Sequence, residues 1–151
     1  MHPNSLIIIP TYNEKENVES MINAVLELKL KFNLLFIDDN SPDGTAEIIE
    51  QAVEKNPERV FLEKREGKLG LGTAYIHGFK WAITHEYDFV FEMDCDFSHN
   101  PRDLIRLHET LNNGFDLVIG SRYCKGGKVK NWPLKRILIS YFASVYVRII
   151  L

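Results

Sequence analysis

Apolar residues fall along this chain in two alternating patterns. Leu6-Ile7-Ile8-Ile9 is a short β-branched run ended by Pro10, which predicts a buried strand. Val18, Met21, Ile22, Val25, Leu26 and Leu28 then recur at helical spacing. Asn13 is placed to cap that helix, with Glu16 three residues on as its capping-box partner. Leu34 to Ile37 reads as a second strand, closed by the turn-rich Asp38-Asp39-Asn40-Ser41-Pro42-Asp43-Gly44. Thr45 starts a second helix to about Lys55, apolar at Ala46, Ile48, Ile49, Ala52 and Val53. Val60 to Leu62 reads as a third strand, and Gly70-Leu71-Gly72 opens a helix reaching about His85. Tyr87 to Met93 reads as a fourth strand. Pro101 suits the first turn of a helix running to Asn112, and Phe115 to Gly120 reads as a fifth strand.

This alternation predicts an α/β architecture: a mostly parallel sheet with helices on both faces. With 151 residues and no repeat, low-complexity tract or linker, one domain with a real core is expected. The end of the chain departs from the pattern. Leu134 to Leu151 is strongly apolar, broken only by Lys135, Arg136 and Arg148, and predicts a helix without a cap or tail. We therefore expect 1–151 to be the N-terminal part of a larger catalytic unit, truncated at the C-terminus. Residues 133–151 read either as a core helix packing on the sheet or as an amphipathic helix at a membrane interface.

Composition narrows the classes. A chain that is 45% hydrophobic and 26% charged suits a soluble globular protein. No run approaches a membrane span, and Leu6 to Ile9 is too short for a secretory signal core. Cys95 and Cys124 lack zinc-like spacing and form no disulfide framework, which points to a reducing compartment. A net charge of −3 speaks against a nucleic-acid binder. That mean hides a basic C-terminal third: no acidic residue follows Asp116, while Arg122, Lys125, Lys128, Lys130, Lys135, Arg136 and Arg148 do. Such a stretch suits anionic substrates or an anionic membrane face, and equally a solubilising loop.

The densest chemistry lies in Phe91-Glu92-Met93-Asp94-Cys95-Asp96-Phe97-Ser98-His99, where an apolar strand ends in two aspartates one residue apart. Ligands of a parallel α/β sheet bind beyond the carboxyl ends of its strands. Two carboxylates there can hold Mg²⁺ or Mn²⁺ against substrate phosphates. Alone, the pattern reads more readily as a solvated turn. Three further polar loops fall at strand ends: Pro10-Thr11-Tyr12-Asn13-Glu14, Asp38 to Thr45, and Arg65-Glu66-Gly67-Lys68-Leu69-Gly70-Leu71-Gly72. Four loops converging on one edge predict a substrate cleft. Asp39 can accept from a nucleobase edge or ribose, and Tyr12 offers a ring face to a base. The glycines of the third loop allow close backbone approach at a helix start, which favours anions. Gly70-Leu71-Gly72 lacks the spacing of a dinucleotide fingerprint, and no Walker lysine motif is present.

With these loops the chain resembles a family-two glycosyltransferase of the GT-A (Rossmann-like) nucleotide-diphospho-sugar transferase fold. More narrowly it resembles the dolichyl- or polyprenyl-phosphate mannosyltransferases, the dolichol-phosphate-mannose synthase group. The resemblance rests on Pro10-Thr11-Tyr12-Asn13-Glu14, Ile37-Asp38-Asp39, Ser41-Pro42-Asp43-Gly44-Thr45, Lys68 to Tyr75, Asp94 to Pro101, Gly120-Ser121-Arg122-Tyr123 and Trp132-Pro133-Leu134-Lys135-Arg136. Cys95 stands where alanine is commoner. The resemblance implies that Pro10, Tyr12, Glu14, Ile37 and Asp39 line a nucleoside pocket. It implies that Asp94, Cys95 and Asp96 meet ribose, diphosphate and metal, with Asp94, Asp96 and Ser98 around Mg²⁺ or Mn²⁺. Arg122 and Arg136 would hold phosphates, and Asp96, Arg122 and Arg136 would carry the chemistry.

The implied reaction is inverting transfer of mannose from GDP-mannose to a polyprenyl phosphate. The acceptor would approach along the Leu134–Leu151 helix, with the protein peripheral on the cytoplasmic face of a membrane. Three rivals stand beside this reading. One is a family-two enzyme using UDP-glucose or UDP-N-acetylglucosamine. The second is a nucleotidyltransferase, disfavoured because Tyr12-Asn13-Glu14 occupies the place of its glycine-rich basic loop. The third is a nucleotide-sugar-binding module without turnover. Four other residues have bland readings: His99 as a metal ligand or a helix-entry hydrogen bond, His77 as structural, Cys124 as a bystander, and Trp132 as an interface anchor or a core cover.

Overall fold

A computed structural model describes residues 4–121 and 133–150 of the chain. It divides into two compact units, Met1–Val118 and Ile119–Leu151. The first unit contains β1 (Ser5–Thr11), α1 (Val18–Leu26), β2 (Asn33–Asp38), α2 (Thr45–Lys55), β3 (Val60–Lys64), α3 (Leu71–Thr84), β4 (Phe89–Glu92) and α4 (Asp103–Asn112). The second contains α5 (Leu134–Ile150). The strands form one parallel sheet in the order β3-β2-β1-β4.

The period of two explains the layers. Ile7, Ile9, Leu34 and Phe36 face a core shared with Val18, Met21, Val25, Ile49 and Leu104, so α1, α2 and α4 cover one face. Leu6, Ile8, Leu35 and Ile37 face the other way, onto Ala74 and Ala82 of α3. Because β1 is central and covered on both sides, all of Leu6 to Ile9 is fully buried, and its sequence is a continuous apolar run. From β1 the chain steps outward to β2 and β3, then returns through α3 to β4 on the far side of β1. A right-handed crossover in the reverse direction must place its helix on the opposite face. The reversal opens a crevice beyond the carboxyl ends of β1 and β4. The α3 helix packs closely there: a Cβ on Gly78 would lie 2.6 Å from Ile8 Cγ2.

Three expectations are corrected. The first helix begins at Val18, and no capping box forms: Asn13 has φ 60°, and Asn17 makes no side-chain cap. The backbone donors of this turn are committed elsewhere. Asn13 N–H donates to Ser41 Oγ (3.0 Å), Glu14 N–H to Thr45 Oγ1 (2.9 Å) and Lys15 N–H to Asp43 Oδ2 (3.1 Å). Tertiary bonds to the β2–α2 loop therefore override the local cap. The helix after Pro101 begins at Asp103, with Pro101 in the preceding turn. Residues 115–120 form no strand. Leu117 and Ile119 are about three-quarters exposed, and no described strand pairs with the segment, so its backbone has no ladder. Within its own unit α5 runs seventeen residues and exposes Leu134, Ile139, Phe142 and Ile149. No helix among the described residues is long and apolar enough to cross a membrane.

Candidate active site

The site is assembled at the carboxyl edge of the sheet, where register aligns Thr11 with Asp38 and Asp38 with Lys64. Asp38 is fully buried and structural. Its Oδ1 accepts from Thr11 Oγ1 (2.9 Å) and Ser41 Oγ (2.7 Å), and its Oδ2 accepts from Ser41 N–H (2.9 Å). A buried carboxylate needs this satisfaction, and it ties the ends of β1 and β2 together.

Asp39 is also buried, but its partner is a cation. The Nε and Nη2 of Arg65 both lie 2.5 Å from Asp39 Oδ1, and Leu69 N–H donates to Oδ2 at 3.2 Å. Arg65 further donates to Thr73 Oγ1 (2.7 Å) and to the Gly70 carbonyl (3.2 Å). Only about a tenth or less of either side chain is exposed. The pair thus fixes the orientation of Asp39 and joins β2, the β3–α3 loop and the start of α3. Its remaining lone pairs can still accept from a ligand.

Tyr12 stands at the end of β1, 37% exposed, with Lys68 Nζ 4.4 Å from its ring centroid. Glu14 is half-buried: its carbonyl accepts from the Asn17 and Val18 amides, and its carboxylate accepts from Asn17 Nδ2 at 2.9 Å. Pro10 is half-buried opposite Ile37. Ile37 and Cys95 are enclosed in the core, so any contact they make with a ligand runs through the backbone. Burial, with Glu14 and Asp96 nearby, pushes the Cys95 thiol up to about 12, so it stays protonated.

Beyond β4 the chain turns sharply, with Phe97 at φ 59°. This brings Asp94, Asp96 and Ser98 into one turn. Ser98 N–H donates to Asp96 Oδ1 at 2.9 Å. Hydrogen bonds from the Ser98 backbone and side chain hold the Asp96 carboxyl below its ordinary range; partial burial opposes them and His99 adds to them. Asp96 is therefore an exposed anion at neutral pH. Asp94 is flanked on two sides. The Tyr75 hydroxyl lies 3.5 Å from Oδ1, and His99 Nε2 lies 3.8 Å from Oδ2. Asp94 N–H also donates to His99 Nδ1 at 3.3 Å, which places the proton of the neutral ring on Nε2, facing the carboxylate. Burial, followed by the charges of Asp94 and Glu92, raises the Tyr75 pKa, so its hydroxyl remains a donor.

The donor set suits a hard cation. Asp94, Asp96 and Ser98 offer oxygen only, and no group of three or more His, Cys, Asp or Glu side chains that could hold a metal occurs among the described residues. Mg²⁺ and Mn²⁺ are commonly held by one or two carboxylates, water and substrate phosphate. The turn fits an ion shared with a diphosphate and does not fit a cage made wholly of protein.

Of the other expected residues, Arg122, Cys124 and Trp132 lie outside the described residues. Arg136 is exposed in the first turn of α5, its N–H bonded to the Pro133 carbonyl at 2.9 Å, in the second unit. Sequence reasoning assigns no role to Arg65 or Tyr75. The signal for Arg65 was a cation directly after β3, level with the acids that end β2. Tyr75 had only its place at the end of the Lys68–Tyr75 motif and its position one turn into a helix whose start faces the cleft.

Residues 6–148 match the family described as Glycosyl transferase family 2, and the chain belongs to that family. Its sheet and helices have the GT-A glycosyltransferase fold. The chain is 43% identical over 147 residues to the polyprenol monophosphomannose synthase of Mycolicibacterium smegmatis, covering 97% of this chain and 56% of that protein. It is 44% identical to the undecaprenyl-phosphate mannosyltransferase of Micrococcus luteus, covering 97% and 59%. It is 42% identical to the dolichol-phosphate mannosyltransferase of Pyrococcus furiosus, covering 96% and 40%. The chain thus spans about half the length of these curated relatives.

Among solved structures, S. aureus TarS 1–349 in complex with UDP-GlcNAc matches with a TM-score of 0.54 at 26% identity, over 62% of this chain and 26% of that one. A mannosyltransferase from Pyrobaculum calidifontis in complex with GDP-Man and Mn²⁺ matches with a TM-score of 0.50 at 23% identity, over 54% and 25%, a likeness of fold alone.

Proposed function

We propose that this chain binds GDP-mannose with Mg²⁺ or Mn²⁺ and serves the inverting transfer of mannose to a polyprenyl phosphate. The observation that carries the reading is the turn after β4, where an ionised, exposed Asp96 is fixed by Ser98 beside Asp94. It opens on the same sheet edge as Tyr12 and the Asp39–Arg65 pair. The names of the three relatives, each a transferase or synthase of a lipid-phosphate mannose, favour mannose and a polyprenyl acceptor over the UDP-sugar alternatives.

Each group has a task in this mechanism. Tyr12 stacks on the base, and Asp39, oriented by Arg65, accepts from its edge. Asp94 takes a ribose or sugar hydroxyl, kept in place by Tyr75 and His99. Asp96 and Ser98, with Asp94 beside them, would hold Mg²⁺ or Mn²⁺, which would supply positive charge to the donor diphosphate. An acceptor phosphate oxygen attacks the anomeric carbon from the face opposite the diphosphate. The bond to the diphosphate breaks, and the leaving group takes the electron pair. The acceptor oxygen is already ionised at neutral pH and needs no general base. The work of the protein is to position both substrates and to stabilise the departing charge, which Arg122 and Arg136 assist. The apolar sequence of α5 and its basic residues suit a membrane face and a lipid acceptor, which fits a peripheral protein on the cytoplasmic face of a membrane.

Calorimetric titration with GDP-mannose and with UDP-glucose, with and without Mn²⁺, tests the donor. The expected result is metal-dependent binding of GDP-mannose that is lost in Asp96→Ala. Preference for UDP-glucose moves the protein to another branch of the family, and unchanged binding in Asp96→Ala refutes the metal assignment.

A further inference from the structure

The β3–α3 loop, residues 65–70, is fastened at both ends and loose in between. At its start Arg65 N–H donates to the Asp38 carbonyl at 2.8 Å, and its guanidinium is paired with Asp39. At its end Leu69 N–H is held by Asp39, and the Gly70 carbonyl is held by Arg65. Among the described residues the middle has one long bond, Asn40 Nδ2 to the Glu66 carbonyl at 3.5 Å, and a Cβ on Gly67 would meet nothing within 4 Å. Lys68 sits at this loose point. Its stem is exposed, and its ammonium lies over the exposed ring of Tyr12.

That placement gives the Tyr12 ring two candidate occupants. An ammonium over a ring face is attracted by the ring quadrupole, and a base stacking on that face must displace it. The displaced cation stays tethered between Arg65 and Leu69, on the sheet edge where Asp94 and Asp96 lie and where α3 begins. The phosphates of a nucleotide whose base rests on Tyr12 lie along that same edge, and an anion there attracts a flexible lysine as a point charge.

We propose that Lys68 is an exchangeable cation of the donor site. In the free protein it covers the stacking face of Tyr12, and when a nucleotide binds it moves to the diphosphate. This rests on the donor-binding reading above and adds a residue and a step to it. Two consequences follow. Lys68 opposes binding of a nucleoside that has no phosphate to attract it, and favours binding of the diphosphate. The pocket thereby discriminates against nucleosides before any chemistry occurs.

The test compares guanosine with GDP, and uridine with UDP, on the full chain and on Lys68→Met and Lys68→Arg. Lys68→Met should bind the nucleoside as well as or better than the original chain, and the diphosphate about tenfold more weakly. Lys68→Arg should keep most of the affinity for the diphosphate. Equal losses for nucleoside and diphosphate would show a merely structural lysine and overturn the proposal, as would no loss for either. If the original chain prefers uridine compounds, the guanine donor fails while the opposed shifts still decide the role of Lys68. If it binds none of the four, both readings fall. The free-state contact is checked without nucleotide: the Lys68 ε-methylene protons should resonate upfield from the Tyr12 ring current and lose that shift in Tyr12→Leu. An ordinary lysine shift overturns the proposal whatever the binding data show.

Discussion

Gly78→Ala measures how tightly α3 is seated on the sheet. Helix propensity alone favours the change, since alanine in a helix interior is about 1 kcal/mol better than glycine. The structure predicts the opposite sign. The new methyl would lie 2.6 Å from Ile8 Cγ2, 2.8 Å from Cδ1 and 3.1 Å from Cγ1. Ile8 has no room to retreat: it is fully buried in the central strand, with its backbone held between Leu35 and Glu92. Ordinary carbon contact requires an opening of about 1 Å, so α3 must lift. Overpacking of this kind costs about 1–3 kcal/mol, which leaves a net loss of about 0–2 kcal/mol after the gain in propensity. Urea denaturation of the single variants Gly78→Ala and Ile8→Ala and of the double variant provides the assay. Ile8→Ala alone should cost about 2–5 kcal/mol through its cavity. The double variant should cost clearly less than the sum, because the alanine methyl then enters the space vacated by Ile8. Gly78→Ala that stabilises the protein, or a cycle that is additive, would refute the close packing. Since α3 carries Tyr75 and begins at the cleft, Gly78→Ala should also weaken donor binding.

The remaining predictions concern the site itself. Arg65→Ala should destabilise the fold by about 3–5 kcal/mol, because it leaves Asp39 buried without its cation; Asp39→Asn in that background should recover part of the loss, and thermal melts of the three variants decide it. In the metal-free protein the Asp96 carboxyl resonance should titrate below the ordinary 3.8, and Ser98→Ala should move its midpoint upward. A folded-state value below the unfolded one means that this contribution is present above the unfolded pKa and is lost as pH falls through the folded one. Cys95 should resist alkylation at pH 8 in the native protein and react promptly after denaturation, as mass spectrometry would show, since its thiol is buried and protonated.

The parts of the fold legible in the sequence are those fixed by local chemistry. The second helix was expected from Thr45 to Lys55 and has those bounds, because Gly44 at φ 95° and the Asp43 bonds to Thr45 form a turn complete within its own residues. The alternation of Leu6 to Ile9 and Leu34 to Ile37 between two helix layers followed from the same local periodicity. The start of the first helix was not legible, because the donors that would have formed its cap bond to residues 28 and 31 positions away. Residues 115–120 alternate like a strand, yet a strand exists only through a partner, and alternation does not name one. The candidate site divides the same way. Asp94 and Asp96 could be read from their spacing at a strand end, with Ser98 added by the family resemblance, whereas Arg65 reaches Asp39 across 26 residues and is seen only once β2 and β3 lie side by side.

The bonds from Asn13, Glu14 and Lys15 to Ser41, Thr45 and Asp43 bear on how this part of the family can be exchanged or inherited. The two loops are separate in sequence, but the backbone of one is satisfied by the side chains of the other. A chimera that imports the first loop from a distant relative, without Ser41, Asp43 and Thr45 beside it, would bring three amides stripped of their protein acceptors. The pair is one heritable cassette, and a substitution in either half is screened first by its partner and only afterwards by the substrate.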